Sequence, residues 1–588
     1  MCGIAGILQF DGTNPEMQHV DAMLEVLAPR GPDDVGSWQE GPVALGHRRL
    51  SVIDLSQNAH QPLVDAENSI VFNGTIYNYK ELRQELIKLG FKFKSTSDTE
   101  VILKAYAAWG ETCVNRFYGM FAFCLWDKKR QELFMARDRF GIKPLYYSKQ
   151  KERLVFASNP QALLKAGGVD TGLDFKALHF HFSLHAVVPA PRTILRGVRK
   201  MPPALFHIYK ANGSSVKKTY WQLDSSTDHN LTHNDWLHGT KEKLQKAVKR
   251  RIEAADVPVG VLLSGGLDSS LLTALLVNAG IENLKTFSIG FEDALEEKGH
   301  EFDYSDQVVA RYKTEHFKFR IPNSEVLKRL PEAIASMAEP MFGQDALAFY
   351  LLAEQVASKV KVVQSGQGAD EVFAGYFWYQ KMQNIAAQDE VNTFHKLYFD
   401  RGHAELQSML ELPIKENTSR LWLETKFNTI KATNMLDKVL NLDVTRLIVD
   451  DPVKRVDNMT MARGLEARVP FLDHELVEFA AKMPKDLKLS NGGKGILKEI
   501  ARGLLPDAVI DRPKGYFPLP ALKYVRGDFL NWMREVLLSD TAQNRGLYNQ
   551  AYVEKLLAAP SSHFTKIKGS KLWHLAVTES WLQINNIA

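Results

Sequence analysis

Residues 259–276 read VGVLLSGGLDSSLLTALL. Val259 to Leu263 make an apolar run of strand length, with the composition of a strand buried on both faces. It breaks into Ser264-Gly265-Gly266, where glycine lets the backbone approach a ligand closely. Asp268, Ser269 and Ser270 then open the apolar stretch Leu271 to Val277, which has helical length and composition. A strand, a Gly/Ser turn and a helix N-terminus together make an anion site, because free N–H groups and the helix dipole face the ligand. Phosphate is the expected guest. The loop lacks the Gly-Lys-Ser/Thr ending of a kinase-type P-loop, so a γ-phosphate is not held in the usual way. An ordinary strand-to-helix turn capped by Ser or Asp gives a loose version of the same pattern. The full SGGLDSS string is more specific.

Outward from this stretch, Lys285 to Phe291 (KTFSIGF) reads as a second buried strand. Val360 to Gln364 (VKVVQ) reads as a third, running into SGQGADEVFAGY, Ser365 to Tyr376. Strands alternating with helical stretches predict an α/β parallel sheet with helices on both faces and ligands at the carboxyl ends of its strands. From about Phe377 the pattern is mostly helical. SGGLDSS resembles the pyrophosphate loop of the ATP pyrophosphatases, which split ATP into AMP and pyrophosphate. That chemistry implies Mg²⁺, which takes one or two carboxylates plus phosphate oxygens. Asp268 and Asp370 are the natural pair, although either alone reads equally well as a helix cap. A cation must also neutralise the leaving pyrophosphate, and Lys494, in the Gly-rich stretch Gly492 to Gly495, suits that role. Taken alone it would be a solvated loop lysine.

At 588 residues the chain exceeds one core, and two or three domains are expected. A content of 45% apolar and 24% charged residues is that of a soluble globular protein. Basic and acidic residues nearly balance at a net charge of +4, which favours neither nucleic acid nor an anionic membrane as partner. No apolar run approaches the ~20 residues that span a bilayer, and Asp11, Pro15 and Glu16 interrupt the N-terminus too early for a signal peptide. Three cysteines (Cys2, Cys113, Cys124) supply neither a disulfide framework nor a CxxC metal pattern. A cytoplasmic protein is expected.

The chain opens Met-Cys-Gly-Ile-Ala-Gly-Ile. Removal of Met1 would leave Cys2 with both a thiol and a free α-amine, whose ordinary pKa near ~8 lets it act as general base for its own side chain. In isolation Cys2 would read as a small buried residue of an edge strand. The following segments set it in a pattern: RGPDD (30–34), GHRRLSVID (46–54), FNGTIYN (72–78), Ser97 to Glu100 capping a helix from Val101, GMFAF (119–123) and ARDRFGIKPLY (136–146).

Together these segments, over residues 2–210, resemble the class II glutamine amidotransferase domain, an N-terminal-nucleophile hydrolase with a four-layer αββα fold. The resemblance implies that Cys2 attacks the glutamine amide and releases ammonia. It implies that Arg49 binds the glutamine α-carboxylate through its planar fork, with Val52 in the same pocket. Asp98 would hold the α-ammonium, and Asn73 with the Gly74 N–H would form the oxyanion hole. Family members commonly carry Glu after the Asn-Gly pair, helping to bind the substrate amine; here the residue is Thr75.

Leu223 to Asn234 turns polar and loses periodicity, so a linker is expected over 211–235 and a second domain over 236–588. SGGLDSS, SGQGADEVFAGY, GLEARVPFLD (464–473) and the Lys494 segment fall in the order found in asparagine synthase-type synthetase domains. That resemblance implies a two-site enzyme. A substrate carboxylate attacks ATP to give an acyl-adenylate, and ammonia channelled from the glutaminase displaces AMP. Leu263 and Ile289 would line the adenine pocket, and Gly366 would lie against the nucleotide with Gln367 beside it. Relatives of this kind are often dimers, and the sequence leaves the oligomeric state open.

Asparagine synthetases carry Glu where this chain has Gln367, and that Glu is assigned as the base for attacking ammonia; a Gln can only hydrogen-bond. Glu339 to Glu354, EPMFGQDALAFYLLAE, contains no basic residue to meet a second carboxylate of aspartate. SGQGADEVFAGY, VDDPVKRVDNMTM, GLEARVPFLDHELVE and IDRPKGYFPLPALKY together look like the N-acetylglutaminylglutamine amidotransferases, which amidate a small acetylated dipeptide to make a compatible solute. Phe349, Tyr350, Phe377, Trp378 and Tyr379 would suit such an acceptor, and Arg512 and Lys514 would reach its carboxylate or a phosphate. Two alternatives stay open. One is asparagine synthetase proper, converting aspartate to asparagine. The other is a catalytically silent sensor of glutamine or nucleotide, against which the intact set Cys2, Arg49, Asp98, Asp268 and Asp370 argues.

Overall fold

The computed structural model describes residues 2–512 and 519–588. Lys514 lies outside the described residues. The N-terminal part is built on two six-stranded sheets. The first runs, edge to edge, through Arg199–Lys200, Tyr146–Lys149, Arg153–Ala157, Gly3–Gln9, Val43–Arg49 and Asp34–Glu40. The second runs through Ser215–Thr219, Leu205–Lys210, Glu132–Arg137, Gly119–Asp127, Asn68–Ile76 and Leu63–Val64. All their ladders are antiparallel. Strand residues of alternate parity meet between the sheets as one apolar layer around Ile4, Leu45, Val71, Trp126 and Phe156. Helix Met17–Leu27 covers the first sheet and Asp98–Trp109 the second, giving the αββα order.

Gly3–Gln9 sits in the middle of the first sheet, paired on both sides. Cys2 is therefore delivered by a fixed central strand rather than the edge strand that Cys2 in isolation would suggest. Helix Asp98–Trp109 starts three residues before the expected Val101, with Ser97 accepting from the Glu100 N–H at 3.3 Å. The expected linker is shorter than 211–235. Ser215–Thr219 pairs with Leu205–Lys210 and belongs to the second sheet. At its other end a Thr232/Asp235 capping box opens helix His233–Glu253.

The C-terminal part is organised on a five-stranded sheet, all parallel, in the order Glu315–Ile321, Lys285–Phe291, Val259–Leu262, Val362–Gln364, Glu466–Arg468. The strand order reverses between Val259–Leu262 and Val362–Gln364, and the crevice at such a switch point is where an α/β sheet binds its ligand. Two of these strands go beyond the sequence reading. Glu315–Ile321 (EHFKFRI) alternates polar and apolar residues and is legible in retrospect; Glu466–Arg468 is only three residues long. The rest of this part is helical. No helix among the described residues is long and apolar enough to cross a membrane.

Candidate functional site

The SGGLDSS turn leaves the sheet at the switch point. Gly265 has φ +78°, and a Cβ there would lie 2.7 Å from the Ser305 N, so the turn requires glycine. The Ser264 N–H donates to Ser269 Oγ at 3.2 Å, and the two hydroxyls lie 3.1 Å apart. Helix Leu267–Asn278 is capped by Gly266 without a side-chain bond, so Asp268 is not spent as a cap. The same holds for Asp370 in the short helix Ala369–Val372, whose N-cap is Gly368. Both carboxylates turn instead to Lys494. Its Nζ lies 2.6 Å from Asp268 Oδ2 and 2.8 Å from Asp370 Oδ1.

Lys494 is buried, with the left-handed φ of +58° that a lysine seldom takes. Its ammonium is held well above the ordinary lysine pKa. Burial works against the charge, and the two carboxylates outweigh it. Gly375 makes room, since a Cβ there would sit 2.1 Å from Asp370 Oδ1 and 2.2 Å from Lys494 Cε. An ammonium held between two aspartates stands where a divalent cation would, and the oxygen donor set fits Mg²⁺.

Around this junction is a cavity of about 120 Å³ lined by Leu263, Ser264, Asp268, Ser269, Ile289, Gly366, Gln367 and Asp370. Ser270 is wholly buried behind the loop, its N–H bonded to the Gly266 carbonyl at 3.1 Å. Ser288, Phe349 and Leu352 also line it and were not singled out in the sequence. Arg512, expected to reach a carboxylate or phosphate of the substrates, is engaged within the chain: it donates to the Gly265 carbonyl at 3.1 Å and pairs with Glu301, bracing the turn.

A second cavity, about 200 Å³, adjoins through helix Asp345–Ala357, which presents Asp345 to it and Phe349 to the first. Its aromatic wall is Phe342, Tyr376, Trp378 and Tyr398. Of the five aromatics picked from the sequence only Trp378 lines it. Phe349 lines the first cavity, Tyr350 is bonded to Glu332, Tyr379 is buried against Asp443, and Phe377 is 41% exposed. Segment 339–354 has no cation of its own, but the cavity does. Arg455 enters from helix Pro452–Met461 to pair with Asp345 at 3.0 Å and with Asp451, and Lys523 pairs with Glu297.

The third pocket lies in the N-terminal domain. Cys2, Arg49, Val52, Gly74 and Asp98 line it together. Asn73 adjoins it through its side chain: Oδ1 accepts from the Cys2 N–H at 3.1 Å, while Nδ2 is buried with no partner among the described residues, a donor suited to an oxyanion. Arg49 donates to the carbonyls of Ser56 at 3.1 Å and of Asp54, which fix its fork. Burial pushes the Cys2 thiol up, opposed by a backbone hydrogen bond from Leu50 and by the Arg49 charge. Asp98 accepts from the Ile76 N–H at 3.0 Å and is pushed up to about 7, first by burial and then by Glu466.

Buried ion pairs join this domain to the sheet domain. Asp457 takes Arg30 at 3.0 Å and Lys143 at 2.9 Å, and Lys200 takes Glu339 at 3.0 Å and Asp450 at 2.5 Å. Arg30 also donates to the Cys2 carbonyl at 3.2 Å. Charges so deeply buried persist only when paired, which holds the two domains in one register.

An αββα domain with a cysteine at its second residue, joined to a parallel-sheet domain with a phosphate turn, defines a two-site amidotransferase architecture. Comparison with known proteins agrees. Residues 239–583 match asparagine synthase, and residues 1–221 match the glutamine amidotransferase domain. The chain is 30% identical to glutamine-hydrolysing asparagine synthetase 1 of Bacillus subtilis (strain 168), over 100% of this chain and 97% of that one. It is also 30% identical to asparagine synthetase 3 of the same organism, over 100% and 99%. An amidase of Gibberella zeae, chry2, is 26% identical over 93% of each chain. The chain belongs to the asparagine synthase family, whose members are glutamine-hydrolysing, ATP-dependent ligases.

Proposed function

We propose that this chain amidates a small carboxylate in two coupled reactions. The observation that carries the reading is the coexistence of the Cys2 pocket and the Asp268–Lys494–Asp370 junction in one chain whose two parts are joined by buried ion pairs. In the first pocket Cys2 attacks the side-chain amide of glutamine, Asn73 Nδ2 and the Gly74 N–H receive the oxyanion, and Arg49 and Asp98 hold the amino-acid end. Ammonia leaves and water regenerates the thiol. In the second, the acceptor carboxylate displaces pyrophosphate from ATP; Ser264, Gly265, Gly266 and Ser269 cradle the phosphates, with Ser270 packed behind them, and Lys494 stabilises the leaving group. Leu263, Ile289 and Gly366 bound the nucleotide. Mg²⁺ held by Asp268 and Asp370 would supply further charge neutralisation at the triphosphate. Ammonia then attacks the acyl-adenylate carbonyl and AMP departs.

The acceptor we infer is N-acetylglutaminylglutamine, giving its C-terminal amide. Gln367 at the position of the ammonia base and the aromatic wall of the 200 Å³ cavity support it. Aspartate is the second reading, favoured by the entry of Arg455 and Lys523 into that cavity, though both are already paired with carboxylates. Purified protein given glutamine, Mg-ATP and either acceptor separates the two: pyrophosphate release is expected with the dipeptide. Release with aspartate alone would sink the dipeptide reading.

A pH dependence follows from Asp98. It faces Glu466 and Arg468 from the strand Glu466–Arg468, and its carboxyl is held up to about 7. Below that pH it is neutral and a poor partner for an ammonium; above it, it is charged. The KM for glutamine is therefore expected to fall by up to about tenfold per pH unit below 7 and to level off above it. A KM that stays flat between pH 5.5 and 8.5 would take Asp98 out of the amine site.

A further inference from the structure

The Cys2 pocket is lined by residues 2–99 with one exception, Glu466. That residue opens the strand Glu466–Arg468 at the edge of the parallel sheet. The cavity assigned above to the nucleotide lies at the carboxyl ends of these strands, so their amino ends face away from it, here onto the glutaminase domain. Glu466 is 1% exposed, and its Oε1 accepts from Thr75 Oγ1 at 3.2 Å and from Arg468 Nε at 2.6 Å. Arg468 is anchored in turn on the carbonyls of Arg251 at 2.5 Å and Ala254 at 3.1 Å. The carboxylate lines the pocket and is held there by a buried guanidinium with three hydrogen bonds of its own.

Charge points to its guest. Burial opposes ionisation of Glu466, but positive charge, above all that of Arg468, prevails and holds it down to about 2, so it is anionic at any working pH. Its charge raises the carboxyl of Asp98 and the thiol of Cys2, which places it close enough to act on both. Beside its standing pair with Arg468, Glu466 lines the same pocket as Asp98, and two carboxylates set close enough to interact favour a cationic group of the substrate over an anionic one on that side.

We propose that Glu466 is a specificity-determining residue of the glutaminase, holding the α-ammonium of glutamine together with Asp98. The glutamine pocket is then completed by the synthetase domain, and it takes its substrate only when that domain is docked. This rests on the glutaminase reading above.

The test compares ammonia release from glutamine and from glutaramate, the same amide without the α-amino group, by the full-length chain. In Glu466→Gln the kcat/KM for glutamine is expected to fall by about 30-fold, chiefly through KM, while that for glutaramate changes by less than about threefold. Equal losses on both amides would mark Glu466 as merely structural and overturn the proposal. Should Glu466→Gln be inactive on both, the double variant Thr75→Glu with Glu466→Gln decides, since it returns a carboxylate one hydrogen bond away. Recovery of the preference for glutamine supports the proposal; its absence overturns it. A wild-type chain that amidates with free ammonia yet releases none from glutamine would remove the glutaminase reading, and this inference with it.

Discussion

Cys2→Ala is expected to lower glutamine-dependent amidation by at least ~10³-fold while free ammonia continues to support it. The thiol is a stronger nucleophile than the hydroxyls of Thr75, Ser97 and Thr99 that also line its pocket, and among these residues it alone can sit beside a free α-amine. Asn73 and Arg49 can orient or polarise, but neither can attack. The substitution removes one sulfur from the residue just ahead of a central strand that is paired on both sides, so the fold should survive it. The Asp457 and Lys200 ion pairs that dock the domains do not involve the thiol. An N-terminal extension that cannot be cleaved should act like the substitution, because it blocks the α-amine that serves as base. Glutamine use by such an extended chain at the normal rate would refute the N-terminal-nucleophile reading.

What the sequence discloses about this site, and what it hides, follows from the range of the interactions. Cys2, Arg49, Asn73, Gly74 and Asp98 each sit in a local motif whose spacing survives on paper. The strand-turn-helix at Val259 to Val277 is equally local, and its strand and helix form where the periodicity placed them. Glu466 and Arg455 carry no such signal. Glu466 reaches the Cys2 pocket by a contact with Thr75 across 391 positions. Arg455 meets Asp345 from a helix more than a hundred residues away, which is why a segment without a basic residue could be mistaken for a cavity without one. The strand bearing Glu466 is too short to show a period, and the linker was overdrawn because Ser215–Thr219 is exposed throughout and reads as polar loop. Aromatic residues fared worst. Tyr350 and Tyr379 are buried while Phe377 is 41% exposed, and which face of an element is buried is a tertiary property.

The second large effect is expected at Lys494. Lys494→Met should reduce acceptor-dependent exchange of pyrophosphate into ATP by ~10³-fold or more, and leave glutamine hydrolysis within a few-fold of normal. Nζ is shared between Asp268 and Asp370 at 2.6 and 2.8 Å. Its loss removes a cation shared by two half-buried carboxylates, which is expected to cost stability in the unliganded chain, so glutamine hydrolysis doubles as the measure of folding. Asp268→Asn makes the complementary change. It should stop adenylation as well, but with less loss of stability, because Lys494 keeps Asp370. Lys494→Arg discriminates further. A guanidinium keeps the charge but needs more room than the ammonium, and the space is closed by the Gly375 backbone, where even a Cβ would lie 2.2 Å from Lys494 Cε. Exchange by the arginine variant is therefore expected to fall nearly as far as in Lys494→Met. An arginine chain that kept more than a tenth of the exchange rate would show that charge suffices and that the compact, left-handed placement of Lys494 is incidental.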